Sequence, residues 1–300
     1  MTRPTRSPLP LAAAGLALCA AAALLAPGPA AAIVERFDRD PLAGRSALPF
    51  FTEGDAAARF AYVADAPPAF PGDRRGALRV LYDTTLPTAR LSTPLGTVLA
   101  MDADLTFGAI MTVRSEGFAA DPNGFSQIAF GLWNGSTTGM GRTLFPADTF
   151  DLVEIDWFPN VTEFGGPFLA PSVFGGNVGG NAFLNLAFVS ADVAFPLDTP
   201  LLVQATYRAA IRRLEVKVHR HAGGTLFAEI PGARVDLDLG RLAPGFLVDV
   251  LGIAAYGEGW PSLRAVVDYD LLYSGPLPAP FRTSRAARRP APLPAPAPPD

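Results

Sequence analysis

The sequence predicts an all-β fold, an antiparallel β-sandwich or jelly roll with irregular rim loops. Helical periodicity is nearly absent after the N-terminal segment, and short runs of alternating apolar and polar residues recur between clusters of Gly, Pro, Asn and Asp. No motif returns at a fixed interval, which argues against a solenoid or a propeller. A body of roughly 240 residues lies within the size range of one large sandwich, so a single domain is expected.

Nine runs carry the strand pattern. They span residues 59–64, 77–82, 105–113, 125–133, 150–158, 201–208, 214–219, 246–256 and 265–273. A short connection joins the runs 201–208 and 214–219, which predicts an antiparallel hairpin with one solvent-facing side. Residues 160–198 are rich in Gly, Phe, Asn and Pro, which predicts a long ordered loop over one rim or, as the alternative, a set of short irregular strands.

The two ends of the chain differ from the body. Two early arginines, an apolar run from Leu11 to Leu25 and the small residues Ala30–Ala32 are typical of an export signal. Residues 1–32 are therefore predicted to be a signal peptide, and the mature protein to be secreted or periplasmic. The sandwich is assigned to residues 33–281. Residues 282–300 are rich in Arg, Pro and Ala, which predicts an extended disordered tail.

Composition excludes several classes of function. Cys19 is the only cysteine and lies inside the predicted signal peptide, so the mature chain has no disulfide, cysteine nucleophile or thiolate metal site. Residues 33–281 carry 18 Lys and Arg against 27 Asp and Glu, and this net charge of −9 argues against a nucleic-acid partner. No apolar run in this body is long enough for a membrane-spanning helix. A single lysine, Lys217, among many arginines suggests a GC-rich bacterial genome.

The stretch Phe125–Asn160 holds the clearest candidate site. In its second strand, apolar residues alternate with Glu154 and Asp156, so the two carboxylates share one face about 7 Å apart. In its first strand, Gln127 and Trp133 lie on one face, and large apolar residues lie on the other. The two strands together predict a polar and aromatic surface on one side of a sheet.

Three segments of the chain resemble the concanavalin A-like lectin/glucanase superfamily: Val34–Asp38, Val153–Trp157 and Val267–Gly275. The resemblance covers nearly the whole mature body. It implies that the first and last strands pair, which would close residues 34–275 into one unit.

Within that superfamily, the central strand resembles the catalytic strand of laminarinase-type glycoside hydrolases. The resemblance implies that Glu154 matches the nucleophile and Asp156 the supporting carboxylate. Phe158 and Pro159 stand where the acid/base Glu would be. A retaining glycosidase needs two carboxyl groups about 5–5.5 Å apart, one of them protonated, so binding without cleavage is expected. An enzyme that uses Glu154 and Asp156, with Glu163 reaching back as the acid, is the alternative.

The superfamily's layout would place the two carboxylates on a concave face. The predicted ligand-binding residues are Arg114, Gln127, Trp133, Glu154 and Asp156. A sugar ring stacks its C–H face on an indole, and its hydroxyl groups bind carboxylate, amide and guanidinium groups. In the alternative interpretation, Trp133 plugs the rim of the sandwich, and Arg114 forms a structural salt bridge with Glu154 or Asp156.

Two sets of residues are candidate metal ligands. Asp38, Asp268 and Asp270 would lie close together if the terminal strands pair, which predicts a structural calcium site. Acidic residues on an edge strand also prevent aggregation, and this is the alternative. His219 and His221 form a His-x-His pattern that suits a transition metal, but an exposed strand end is the preferred interpretation.

These observations predict an exported carbohydrate-binding β-sandwich that does not cleave its ligand, a polysaccharide or other glycan. Two other functions stay open. One is a divergent glycoside hydrolase or polysaccharide lyase that uses Glu154. The other is a structural or adhesive envelope protein without a sugar site. The sequence leaves the oligomeric state open.

Overall fold

The computed structural model describes residues 32–70, 76–135, 151–159, 166–174, 189–240 and 245–284. Within these ranges the chain forms two β-sheets and one short α-helix, α1 (Ala56–Arg59). None of the described helices is long and apolar enough to cross a membrane. The predicted all-β sandwich is confirmed.

The larger sheet has ten strands. They are β1 (Ile33–Glu35), β3 (Phe60–Val63), β4 (Ala77–Asp83), β6 (Leu105–Val113), β7 (Ala119–Ala120), β12 (Leu201–Arg208), β13 (Arg213–Gly223), β14 (Leu226–Asp238), β16 (Leu263–Ser274) and β17 (Arg282–Ser284). The main path runs β17-β14-β13-β12-β6-β16-β4-β3, and β1 and β7 also pair with β16. All pairs are antiparallel except β14 with β17.

The smaller sheet has seven strands in the order β11-β10-β9-β8-β15-β5-β2. They are β2 (Phe51–Gly54), β5 (Ala89–Ala100), β8 (Ile128–Trp133), β9 (Leu152–Phe158), β10 (Phe168–Phe174), β11 (Ala191–Asp192) and β15 (Leu247–Ala255). Its pairs are all antiparallel, and β8 and β9 lie near its centre.

The hydrophobic core lies between the two sheets. The edge of the Phe107 ring on β6 meets Phe130 on β8, with 6.3 Å between ring centroids and an interplanar angle of 77°. Trp157 of β9 stacks on Phe195 at 4.4 Å, and its indole N–H donates to the carbonyl of Val193 at 2.9 Å. The inward direction of Phe130 and Trp157 follows from the period-two alternation, as predicted.

The terminal strands of the domain pair as the resemblance implies. Ile33 and Val34 of β1 lie opposite Ser274 and Tyr273 of β16. This antiparallel pair closes the body into one unit. It also places β1 and β16 in the middle of the ten-stranded sheet, where β16 lies between β6 and β4.

Three long strands, β5, β10 and β14, lie outside the predicted runs. The rim-loop prediction for residues 160–198 is wrong where β10 and β11 form, because a regular seven-residue strand occupies 168–174. The rest of that stretch is described only in part. At the C-terminus, β17 extends the ordered domain past the predicted boundary at residue 281. The remainder of the predicted tail, and the predicted signal peptide up to residue 31, lie outside the described residues.

Candidate functional site

The outer face of the seven-stranded sheet, meaning the face turned away from the ten-stranded sheet, carries both predicted carboxylates. Glu154 lies opposite Gly131 on one neighbouring strand and opposite Ser172 on the other. Gly131 in turn pairs with Gly252 of β15. Small residues therefore surround the carboxylate of Glu154 across three strands.

Both carboxylates bind hydroxyl groups of the chain itself. The Tyr256 hydroxyl lies 2.8 Å from Oε1 and 3.1 Å from Oε2 of Glu154. The Ser172 hydroxyl donates to Oδ2 of Asp156. Glu154 and Asp156 are both 0% exposed. A ligand can bind a carboxylate only if it can reach it from solvent. The expectation of an open groove at Glu154 and Asp156 is therefore corrected, because both carboxylates are buried and hydrogen-bonded within the protein.

Trp133 shares this outer face and is also buried. Its indole lies directly over Gly252, where an added Cβ would stand 2.5 Å from the Trp133 Cη2 atom. The guanidinium of Arg90 lies 5.8 Å from the indole centroid, within cation-π distance. Leu152 and Phe174 pack against the same ring. The alternative interpretation, in which Trp133 fills the rim of the sandwich, fits these contacts.

The position of the missing acid is filled by aromatic packing. Phe158 stacks on Phe168 with ring centroids 4.7 Å apart, and Phe125 lies 4.7 Å from Phe158 on another side. Pro159 is buried next to it. Glu163, the alternative acid, lies outside the described residues.

Gln127 and Arg114 do not join the two carboxylates. Gln127 is half-buried just before β8 and, among the described residues, forms no hydrogen bond with Glu154 or Asp156. Arg114 follows β6, so it belongs to the other sheet. Both the predicted ligand role beside Glu154 and the predicted salt bridge to that carboxylate are therefore corrected for Arg114.

Arg114 instead shares Asp268 with Arg79. Nε of Arg114 donates to Oδ2 of Asp268 at 2.7 Å, and Nε of Arg79 donates to Oδ1 at 2.7 Å. Asp268 is fully buried, whereas the two arginine side chains are 21% and 39% exposed. The hydrogen bond with Asp268 raises the pKa of Arg79, so this guanidinium stays charged.

The predicted calcium ligands do not assemble. Two guanidinium groups occupy the carboxylate of Asp268, and their positive charges oppose a cation there. The alternation that placed Asp270 on the face of Asp268 breaks, because a register shift between Tyr269 and Leu271 makes Asp270 a bulge residue. Asp38 lies in the loop after β1. Within the described ranges, no group of three or more His, Cys, Asp or Glu side chains is arranged to hold a metal ion.

His219 is buried rather than exposed at a strand end. It lies on β13 opposite Leu202 and Glu229, where a register shift follows Lys217. Burial lowers the pKa of His219, and the negative charge of Glu229 only partly opposes this effect. The native state therefore holds His219 neutral at neutral pH.

Burial of neutral His219 predicts acid destabilisation in a window that opens as the pH falls below about 6.5, the ordinary pKa of histidine. The unfolded chain binds a proton near pH 6.5, whereas the folded chain binds it at lower pH, so the free energy of unfolding falls as the pH decreases through this window. The slope is at most about 1.4 kcal/mol per pH unit. Urea unfolding at several pH values measures it. His219→Gln is expected to remove the slope and His221→Gln to retain it, and equal slopes in all three proteins would contradict the assignment.

An open cleft lies at one end of the sandwich, where β4 ends and β16 begins. Its volume is about 550 Å³, and its lining includes Asp83, Thr85, Asp121, Ser262 and Arg264. The lining therefore combines two carboxylates, two hydroxyl groups and one guanidinium. These are groups that hydrogen-bond a hydroxyl-rich ligand.

Asp83 is the best-positioned acid of this cleft. It accepts hydrogen bonds from the backbone N–H of Thr85 at 3.0 Å and from its hydroxyl at 2.6 Å. Partial burial by itself would raise the pKa of Asp83, but the hydrogen bonds from Thr85 outweigh burial and lower it. Nη1 of Arg264 lies 3.9 Å from Oδ2 of Asp83. The cleft thus presents a carboxylate that is ionised at neutral pH next to an exposed guanidinium.

Trp260 is not part of the cleft lining but adjoins it along the chain, and it is 56% exposed, whereas Trp133 and Trp157 are buried. It directly precedes Pro261 of the cleft lining and follows Gly259, whose φ is +82°. The sequence interpretation did not include Trp260. The signal was the segment Gly-Glu-Gly-Trp-Pro, an aromatic residue between turn-forming residues and outside any alternating run.

No protein-family model matches the chain, and no curated protein matches it in sequence. Solved structures do match. The exoplasmic/lumenal domain of VIP36 in its Ca²⁺/Man-bound form is 13% identical with a TM-score of 0.50, covering 82% of this chain and 89% of that domain. The Emp47p carbohydrate recognition domain is 12% identical with a TM-score of 0.47, covering 74% and 98%. Peanut lectin is 13% identical with a TM-score of 0.41, covering 75% and 96%. The chain has a concanavalin A-like lectin fold.

Proposed function

We propose that the protein is an exported carbohydrate-binding β-sandwich that holds its ligand at the cleft beside Trp260 and does not cleave it. The observation that carries this proposal is an exposed tryptophan next to an open polar cleft. The fold is consistent with it, since the VIP36 domain of the same fold was solved with mannose and calcium bound. Fold alone does not establish function, so the cleft and the exposed tryptophan carry the proposal.

Trp260 and the cleft together offer the two kinds of contact that a sugar makes, stacking on its C–H face and hydrogen bonds to its hydroxyl groups. The C–H face of a pyranose ring packs on an indole, and an exposed indole offers that surface without moving any core residue. Asp83, Thr85 and Arg264 supply an acceptor, a hydroxyl and a donor for the ring hydroxyl groups. A cleft of about 550 Å³ lies within the usual size range of ligand sites.

We propose binding without cleavage because Glu154 and Asp156, the acids that the resemblance implies, do not line this cleft. The pKa of Asp83, which does line it, is lowered, whereas a proton-donating acid needs a raised pKa. A glycosidase needs two carboxyl groups that flank the scissile bond and reach it. Glu154 and Asp156 are fully buried and hydrogen-bonded to Tyr256 and Ser172. Calcium is not part of the proposal, because Asp268 is committed to two arginines.

Trp260→Ala is expected to reduce glycan affinity at least about tenfold, because the variant loses the stacking surface while the core stays intact. A glycan array on the wild-type protein identifies a ligand, and titration calorimetry of that glycan measures the change in Kd. Phe51→Ala is the matched control, since Phe51 is an aromatic residue with nearly the same exposure, 57%, on β2 at the edge of the seven-stranded sheet. It is expected to bind like the wild type.

Three outcomes would contradict the proposal. The wild type binds no glycan on the array, Trp260→Ala binds as well as wild type, or Phe51→Ala loses as much affinity as Trp260→Ala. Release of reducing sugar from a bound glycan would contradict the non-catalytic part and favour a hydrolase.

A further inference from the structure

We infer that Thr84 is a positioning residue that holds Trp260 in place for ligand stacking. The inference rests on the proposed function, because it concerns the same cleft. Thr84 is buried in the turn after β4 and does not itself line the cleft. It acts through the loop between β15 and β16.

The Thr84 hydroxyl binds three points of that loop. It donates to the backbone carbonyl of Trp260 at 2.7 Å. It accepts from the backbone N–H of Ser262 at 2.9 Å and from that of Leu263 at 3.2 Å. One hydroxyl group therefore fixes the backbone on the Trp260 residue itself and on its C-terminal side.

The backbone of Thr84 fixes the other side of Trp260. Its carbonyl accepts from the N–H of Glu258 at 2.8 Å and from the N–H of Gly259 at 2.9 Å, and its own N–H donates to the carbonyl of Leu263 at 3.1 Å. Together with the hydroxyl contacts, Thr84 binds five residues of the segment 258–263. A loop held at this many points has few conformations available to it.

A second anchor fastens the same loop to the chain before β8. The carboxylate of Glu258 accepts from the Ser262 hydroxyl at 2.7 Å and from the Ser126 hydroxyl at 2.8 Å. Ser126 and Ser262 are buried. Trp260 carries the large apolar side chain in the exposed part of this loop, residues 259–261.

A rigid loop under Trp260 favours ligand binding. Exposure of Trp260 is unfavourable in the free protein, and a rearrangement of the loop backbone that buried it would cost the hydrogen bonds to Thr84. A ligand that stacks on a held indole loses less conformational entropy than one that must order the loop first. Thr84 thus contributes to affinity without touching the ligand.

Thr84→Val is the direct test, because it replaces the hydroxyl by a methyl group of similar size. We expect the Kd of the glycan found on the array to rise about fivefold or more, since the loop must be ordered on binding. In the ligand-free protein, acrylamide quenching of tryptophan fluorescence is expected to increase, because the other two tryptophans are buried. Thr84→Ser keeps the hydroxyl group, so its Kd for the glycan and its acrylamide quenching are both expected to equal those of the wild type.

The outcomes separate this inference from the proposed function. If Thr84→Val lowers only the melting temperature, with Kd and quenching as in wild type, Thr84 is merely structural and the inference is wrong. If Trp260→Ala also binds like wild type, the proposed function itself is wrong, whereas the quenching result still reports on the loop. If Thr84→Val does not fold, Thr84→Ala provides the same two measurements, and wild-type values there would overturn the inference.

Discussion

Replacing Gly131 by alanine is expected to destabilise the domain by about 3 kcal/mol. A Cβ added at Gly131 would stand 2.7 Å from the Glu154 Cα atom and closer still to the carbonyl oxygen of Val153. Both atoms belong to the backbone of β9, so relief requires β8 and β9 to separate in the middle of the sheet. Equilibrium urea unfolding at neutral pH measures the change in the free energy of unfolding.

Gly245→Ala is the matched control for this substitution. No atom lies within 4 Å of a Cβ added at Gly245, and its backbone has no positive φ. Its effect is expected to stay within about 0.5 kcal/mol. Similar losses for Gly131→Ala and Gly245→Ala would show that alanine is costly for a reason other than the contact with β9.

Asp268→Asn is expected to destabilise the domain by about 2 kcal/mol. Removing one partner of a buried ion pair typically costs about 3–5 kcal/mol, because the other charge is left without compensation. The cost is lower here, since Arg79 and Arg114 are partly exposed and water screens them. Asparagine keeps the size of the side chain, so the change reports on charge and on the lost acceptor. Urea unfolding of the variant and the wild type measures it.

Asp236→Asn is the control for Asp268→Asn. Nε of Arg213 donates to Asp236 at 2.8 Å, but both side chains are about 40% exposed. The expected loss is below about 1 kcal/mol, because an exposed ion pair gains little over its hydrated partners. Raising the salt concentration to 1 M should further reduce the contribution of Asp236 and leave that of Asp268 largely unchanged. A loss for Asp268→Asn no larger than for Asp236→Asn would contradict the assigned role.

Much of the sandwich could be predicted from the local pattern. The runs 105–113 and 201–208 coincide with β6 and β12. Alternation also gave the correct inward direction for Phe130 and Trp157. A period of two is a property of each strand by itself, so it is readable before any partner strand is known.

The three long strands that the runs missed, β5, β10 and β14, each contain a proline. Pro94 of β5 lies beyond the last residue that β2 pairs with, and Pro171 of β10 lies beyond the two residues that β11 pairs with. Pro231 of β14 lies in the register shift against β13, beside Gly232 with a φ of +84°. Proline normally argues against a central strand. Each proline lies past the end of a neighbouring strand's pairing or in a bulge, which only the sheet topology reveals.

The candidate site could be predicted only in part. The shared face of Trp133, Glu154 and Asp156 follows from alternation, and the structure places all three there. Their burial does not follow, since alternation states which side a residue faces and not what covers that side. The partners of Glu154 and Asp268 are also distant in sequence, because Tyr256 and Arg79 come from other strands or loops.

By itself, the sequence determined the fold class, the directions of most strand faces and the missing acid at Phe158. These are properties of composition and of neighbouring residues, so they need no knowledge of long-range contacts. Only the tertiary structure decided that the two carboxylates are buried, that Asp268 binds two arginines, and that Thr84 holds the loop of Trp260. The physical reason is that burial and pairing depend on how strands far apart in the chain align in register, and no local pattern contains that information.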